Sequence, residues 1–142
     1  MRKWRSEKGV ALVEAAITIP LLLLVSAGIF EFGRAYQTWQ VITNAAREGA
    51  RIAVLPSSTS AAVTQRVRDY MQQGQLSRWS SAGITVDTGV TLRVGGPPEA
   101  TRVTVTYPFT FVVLQPIARL ISPSTTLGSA LTMNAQALMR NE

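Results

Sequence analysis

The sequence contains neither cysteine nor histidine. That removes disulfide scaffolds, thiolate and imidazole metal sites, Ser-His-Asp triads and cysteine nucleophiles, so any metal would need an all-oxygen shell. Charge is scarce as well. Only 15% of residues are charged and the 8 acidic ones are scattered singly, which leaves no paired carboxylates for acid-base work. No glycine-rich phosphate loop follows a strand, because Gly95-Gly96 runs straight into Pro97-Pro98 and marks a turn. The expectation is a non-enzymatic protein with no cofactor, no metal and no small-molecule substrate.

What charge there is leans basic, at +6. Half of that excess sits in the first nine residues, where Arg2, Lys3, Arg5 and Lys8 outweigh Glu7. The remainder is too dilute to form a basic face, so no nucleic-acid partner is expected. With 46% hydrophobic residues the chain is not disordered, and 142 residues suit one core-bearing domain beyond a membrane segment.

The longest apolar run, Val10 to Phe30, holds 21 residues with one charge, Glu14. As a helix rising about 1.5 Å per residue it covers roughly 31 Å, close to the hydrocarbon thickness of a bilayer of about 30 Å. Its leucines, isoleucines and valines favour insertion by roughly 4 kcal/mol in sum, more than a near-terminal Glu14 costs. The basic leader before the run, with Glu31 and Arg34 balancing after it, predicts a cytoplasmic N-terminus and an exported remainder. A secretory signal cut after Val25-Ser26-Ala27 is the rival, but a disposable signal has no use for Glu14, and the helical pattern continues past Ala27.

Pro20 removes one backbone hydrogen bond and predicts a kink or local loosening that membrane helices tolerate. From Phe32 the apolar positions Phe32, Tyr36, Trp39, Ile42, Ala46, Gly49 and Ala53 recur at three-and-four spacing, an amphipathic helix needing a partner for its stripe. Gly49 among small residues predicts a close approach to a sheet or another helix. Arg47 and Arg51, four apart beside Glu48, are a solvated face or a contact to a neighbouring subunit. Unbroken from Val10 to Val54, the helix makes a rod of roughly 67 Å.

Leu55-Pro56-Ser57-Ser58-Thr59 ends that rod. Ser60 is placed to cap a second helix to about Gln73, with Val63, Val67, Tyr70 and Met71 inward and Gly74 as its stop. The period then shortens to two. Ile84-Thr85-Val86 and Val90 to Val94 read as two strands around Asp87-Thr88-Gly89, with a turn at Gly95 to Glu99. Val103, Val105, Tyr107, Phe109, Phe111 and Val113 alternate in the strongest strand signal, where Pro108 demands an edge or a bulge. Gln115 to Ile121 suits one or two helical turns before Ser122-Pro123, and Leu127 to Met139 alternates into a last strand. The fold class expected is α+β: one long helix, membrane-spanning in its first half and amphipathic in its second, packed on a small antiparallel sheet of four strands.

The order of basic leader, Gly9, four apolar residues, Glu14 and long apolar helix resembles the class III signal of type IV pilin-like proteins. The resemblance is closer to TadE-like minor pilins, the pseudopilins of the tight-adherence pilus. It is carried by Val-Glu-Ala-Ala-Ile-Thr-Ile-Pro-Leu-Leu-Leu-Leu from Val13, by Gly28-Ile29-Phe30-Glu31-Phe32-Gly33-Arg34, and by Asn44-Ala45-Ala46-Arg47-Glu48-Gly49-Ala50-Arg51. The terminal Met139-Arg140-Asn141-Glu142 is similar too. The resemblance implies a pilin-like fold and cleavage by a prepilin peptidase between Gly9 and Val10, which makes Glu14 the fifth residue of the mature chain. Pro20 would be the eleventh, nearer the cut site than in most type IV pilins.

Cleavage would create a partner for Glu14. The new α-amino group of Val10 is largely protonated near neutral pH and stands four residues away on the same helix face. Glu14 can neutralise that amine or the amine of the next subunit, and the second pairing sets filament register, because a misplaced subunit leaves two buried charges unpaired. Left uncut, Glu14 reaches the inner headgroups beside Lys8. The organisation expected is residues 1–9 as a cytoplasmic leader, 10–31 as the transmembrane half of the helix and 32–142 as an exported domain. The partners implied are the prepilin peptidase, other pilins and pseudopilins, the pilus assembly platform and membrane lipid. The location implied is the bacterial inner membrane, with passage into an extracellular pilus. The alternative is an uncleaved single-pass anchor whose exported domain scaffolds a secretion or envelope complex.

Overall fold

The computed structural model describes residues 4–92, 98–121, 124, 126 and 128–141. Helix α1 runs unbroken over Trp4–Ala53, 50 residues, so the helix takes in the leader from Trp4 on, and Pro20 lies inside it without ending it. Pro20 leaves only the carbonyl of Ala16 without its intrahelical donor. The apolar half is bare: Val10, Leu12, Val13, Ile17, Ile19 and Leu21 to Val25 are exposed. This single helix is long and apolar enough to cross a membrane.

The other half is clad by everything that follows. Helix α2, Ser60–Gln73, is capped one residue before the expected position: Thr59 is extended and its Oγ1 accepts from the amide of Ala62 at 3.2 Å. Thr59 wins over Ser60 because its own backbone is non-helical, as a cap requires. Val63, Val67 and Met71 of α2 are fully buried and Tyr70 half-buried. A short 3-10 turn, Trp79–Ser81, leads into the sheet.

The sheet has three antiparallel strands in the order β1-β2-β3, where the periodicity suggested four. Ile84 to Val86 and Val90 are one strand, β1 (Gly83–Thr91), carried through an irregularity between Asp87 and Val90. There β1 spends three steps while β2 spends two, from Arg102 to Ala100, so one extra residue bulges out. Asp87 holds the bulge by accepting from the amide of Gly89 at 3.1 Å, and the polar triplet that looked like a turn is a kink within a strand. Arg93 to Pro97 lie outside the described residues, whereas Pro98 and Glu99 already belong to β2 (Pro98–Phe109).

Strand β2 is central, and its inward residues Val103, Val105, Tyr107 and Phe109 are buried. Pro108 is tolerated because β1 stops at Gly83, opposite Thr106, and leaves the strand open on that side. Helix α3, Leu114–Ile121, follows β2. Strand β3, Leu131–Arg140, turns Met133, Ala135, Ala137 and Met139 toward the core; Leu127, Ser122 and Pro123 lie outside the described residues. Facing pairs such as Val103 with Ala137 and Val105 with Ala135 lay small residues opposite valines, which lets α1 settle across β2 and β3.

Candidate assembly surface and its fixed points

The contact face of α1 is Glu31, Ala35, Thr38, Ile42, Ala45, Ala46, Gly49 and Ala50, a three-and-four series one residue out of step with the aromatic stripe. Small side chains dominate it because two layers press on it at once. At Gly49 a Cβ atom would stand 2.5 Å from Cγ2 of Val67 in α2 and 3.2 Å from Cγ1 of Val103 in β2, so the helix, α2 and the sheet meet at a position only glycine fills.

The stripe read from the sequence therefore splits. Ile42, Ala46 and Gly49 are buried and Ala53 is half-buried, but Phe32, Tyr36 and Trp39 are 80%, 63% and 48% exposed. The correction has a packing reason: the sheet approaches where side chains are small, and the three aromatics are one position, or about 100° around the helix, away from that face. With Leu131 and Met133 of β3 they line an open apolar groove of about 450 Å³ beside the sheet edge. Gln40 donates to the hydroxyl of Tyr36 at 2.7 Å, which fixes one wall.

One charged side chain sits in the contact face. Glu31 is 2% exposed, and its Oε1 accepts from the backbone amides of Val112 at 2.7 Å and Val113 at 2.5 Å while Oε2 accepts from Arg34 at 2.8 Å. The guanidinium of Arg34 in turn lies 5.3 Å from the ring centre of Phe109, which meets Phe111 edge-on at 5.2 Å. Oε1 thus accepts two bonds and Oε2 a charge-assisted one, which is what makes the burial tolerable. In the sequence Glu31 and Arg34 stand as balancing charges; their three-residue spacing is the legible signal of a pair, but the amide donors carry no side-chain signature.

A second fixed point lies one layer up. Glu48 accepts from Arg51 at 2.8 and 3.0 Å, and also from Arg66 of α2 at 2.9 and 3.1 Å. The hydrogen bonds from Arg51 and then Arg66 hold the Glu48 carboxyl at about 2, below the ordinary 4.5. So Glu48 and Arg51 are engaged within the chain, and the bonds from Arg66 to Glu48 clamp α2 to α1, while Arg47 is exposed and forms no ion pair among the described residues.

At the other end, Gly9, Val10, Val13 and Glu14 line one shallow apolar hollow on the surface of α1. Val10 and Glu14 share that face by their four-residue spacing, both exposed, and the helix passes through the Gly9–Val10 bond. Pro20 stands exposed between this site and the clad half. Among the described residues no group of acidic side chains is gathered in a way that could hold a metal ion.

These features define a class: an α+β protein built on one long amino-terminal helix, its first half a bare candidate membrane anchor and its second half the spine of a small domain. Residues 9–51, which lie within α1, match the family model described as TadE-like protein, so this stretch of the chain is similar to that family. No curated protein and no solved structure gives a match to the chain.

Proposed function

We propose that the chain is a minor pilin-like structural subunit of a tight-adherence pilus, cut by a prepilin peptidase after Gly9 and acting in pilus assembly and surface attachment. The observation that carries the proposal is the division of one unbroken helix, Trp4–Ala53, into a bare apolar half that bears Glu14 and an outer half fixed to a domain. A pilin-like subunit needs that division. Its apolar half serves first as an anchor in the inner membrane and then as the surface by which subunits pack, while the domain remains outside.

In this scheme the Gly9–Val10 bond is hydrolysed on the cytoplasmic side, and the amine left on Val10 carries a proton. Glu14 accepts from that amine or from the amine of the next subunit, and the pairing removes the cost of a carboxylate in an apolar filament core. Phe32, Tyr36 and Trp39, which lie beside the sheet edge and outside the core, offer the groove into which a neighbouring helix packs. Residues 32–142 supply the exposed contacts with other pilins and with the assembly platform.

The test is a pair of substitutions made in the cell that builds the pilus. Gly9→Ala is expected to leave the leader attached and abolish incorporation. Glu14→Ala is expected to leave cleavage intact and lower recovery in the sheared pilus fraction at least several-fold. Normal recovery of Glu14→Ala would remove the register role, and normal function of Gly9→Ala would favour the uncut anchor instead.

A further inference from the structure

The Glu31 carboxylate does more than satisfy itself: it fixes the height of another segment along α1. Val112 and Val113 donate to it, so the backbone just ahead of α3 is held within one side chain's reach of residue 31. Residue 31 immediately follows the apolar run that ends at Phe30. The carbonyl of Val113 accepts from the amide of Ile117 at 3.3 Å, which roots the first turn of α3 at the same level. Gly128, at φ +72°, packs its backbone against Gln115, where a Cβ would come within 2.7 Å of the amide nitrogen. The start of α3 is thus held at two points, beside the mouth of the anchor.

What this clamped segment presents outward is apolar and basic. Val112 is 58% exposed, Pro116 and Arg119 are exposed, and Phe30 and Phe32 flank Glu31 on the helix with their rings open. An exposed valine and two exposed aromatics cost free energy in water, and the same groups with a nearby guanidinium suit the boundary between acyl chains and phosphate headgroups.

We infer that the segment Val112 to Arg119 is a second membrane contact, lying on the outer phospholipid headgroups with Val112 dipped toward the acyl region and Arg119 at the phosphates. The occupant is lipid because the segment is held at the level where the apolar run of α1 stops; this rests on residues 10–30 spanning the bilayer. The contact gives the domain a fixed attitude on the membrane before assembly, and withdrawal from the bilayer has to break it.

The absence of cysteine makes the test direct, since one introduced thiol is a unique label site. The full chain is placed in vesicles of phosphatidylethanolamine and phosphatidylglycerol, with nitroxide on Val112→Cys, Leu22→Cys or Thr91→Cys, and collisions with oxygen and with a water-soluble nickel chelate are compared. The ratio of oxygen to nickel collisions at Val112→Cys is expected to be several-fold above that at Thr91→Cys and below that at Leu22→Cys. A Val112→Cys ratio equal to that of Thr91→Cys, or protection from both reagents, with Leu22→Cys in hydrocarbon, overturns this contact alone. A water-exposed Leu22→Cys overturns the spanning helix and the contact with it.

Discussion

Glu31 and Val112 stand 81 positions apart in sequence, yet the carboxylate of one accepts from the backbone amide of the other at 2.7 Å. The bond joins the helix that leaves the apolar run to the loop that leaves the central strand. With Arg34 completing the carboxylate's partners, the domain is bolted to α1 at its lowest point.

Removing that bolt has a predictable cost. Glu31→Ala strands two amides and frees Arg34, and is expected to cost about 2–4 kcal/mol, less than a fully buried charge because Arg34 can turn to solvent. Glu31→Gln keeps an acceptor and is expected to cost about 1 kcal/mol. Denaturant unfolding of the full chain in micelles, followed by tryptophan fluorescence, measures both.

Glu48 makes stability depend on acid. Its folded value, about 2, lies below the ordinary 4.5, so its contribution is fully present above pH 4.5 and is lost as pH falls toward 2. Arg51 and Arg66 are 57% and 45% exposed, so water screens both bonds, and the contribution at neutral pH is about 1 kcal/mol, smaller than the displacement alone would imply. Glu48→Gln is expected to remove that part of the acid sensitivity and to leave unfolding nearly unchanged at pH 2. Melting curves across that range check it.

Glycine at two helical positions is expected to respond in opposite directions. Gly33→Ala adds a methyl where nothing stands within 4 Å and gains up to about 1 kcal/mol of helix propensity. Gly49→Ala gains the same propensity but drives Cβ into the stiff Val67 side chain, and overpacking of about 1–3 kcal/mol outweighs it, for a net loss of up to about 2. The two midpoints in one denaturant series decide the matter.

The aromatic groove is expected to separate folding from assembly. Phe32→Ser and Trp39→Ser should each move stability by no more than about 0.5 kcal/mol, since both side chains lie off the core. Recovery in the sheared pilus fraction should nonetheless fall. Unchanged recovery with both substitutions combined would remove the groove from the assembly surface.

The sequence made some of this legible and hid the rest for physical reasons. The alternation of Val103 to Phe109 and the close approach at Gly49 were readable because period and side-chain size are written locally. The inner face of α1 lies one residue from the stripe that side-chain bulk suggests, Phe32, Tyr36 and Trp39, because the sheet approaches where alanine and glycine let it. The bulge at Asp87 mimicked a turn, because the same side-chain-to-amide bond serves both. At Glu31 the spacing to Arg34 is legible and the other partners are not: they are main-chain amides far along the chain, and any residue type supplies those.

Pairing of Glu14 as proposed requires the amine that cleavage after Gly9 would create, and N-terminal sequencing of the protein made alongside its peptidase tests that requirement most directly. A mature chain beginning at Val10, with Glu14 as its fifth residue, is the predicted result. A chain retaining Met1, or one beginning at Gly28, would contradict it.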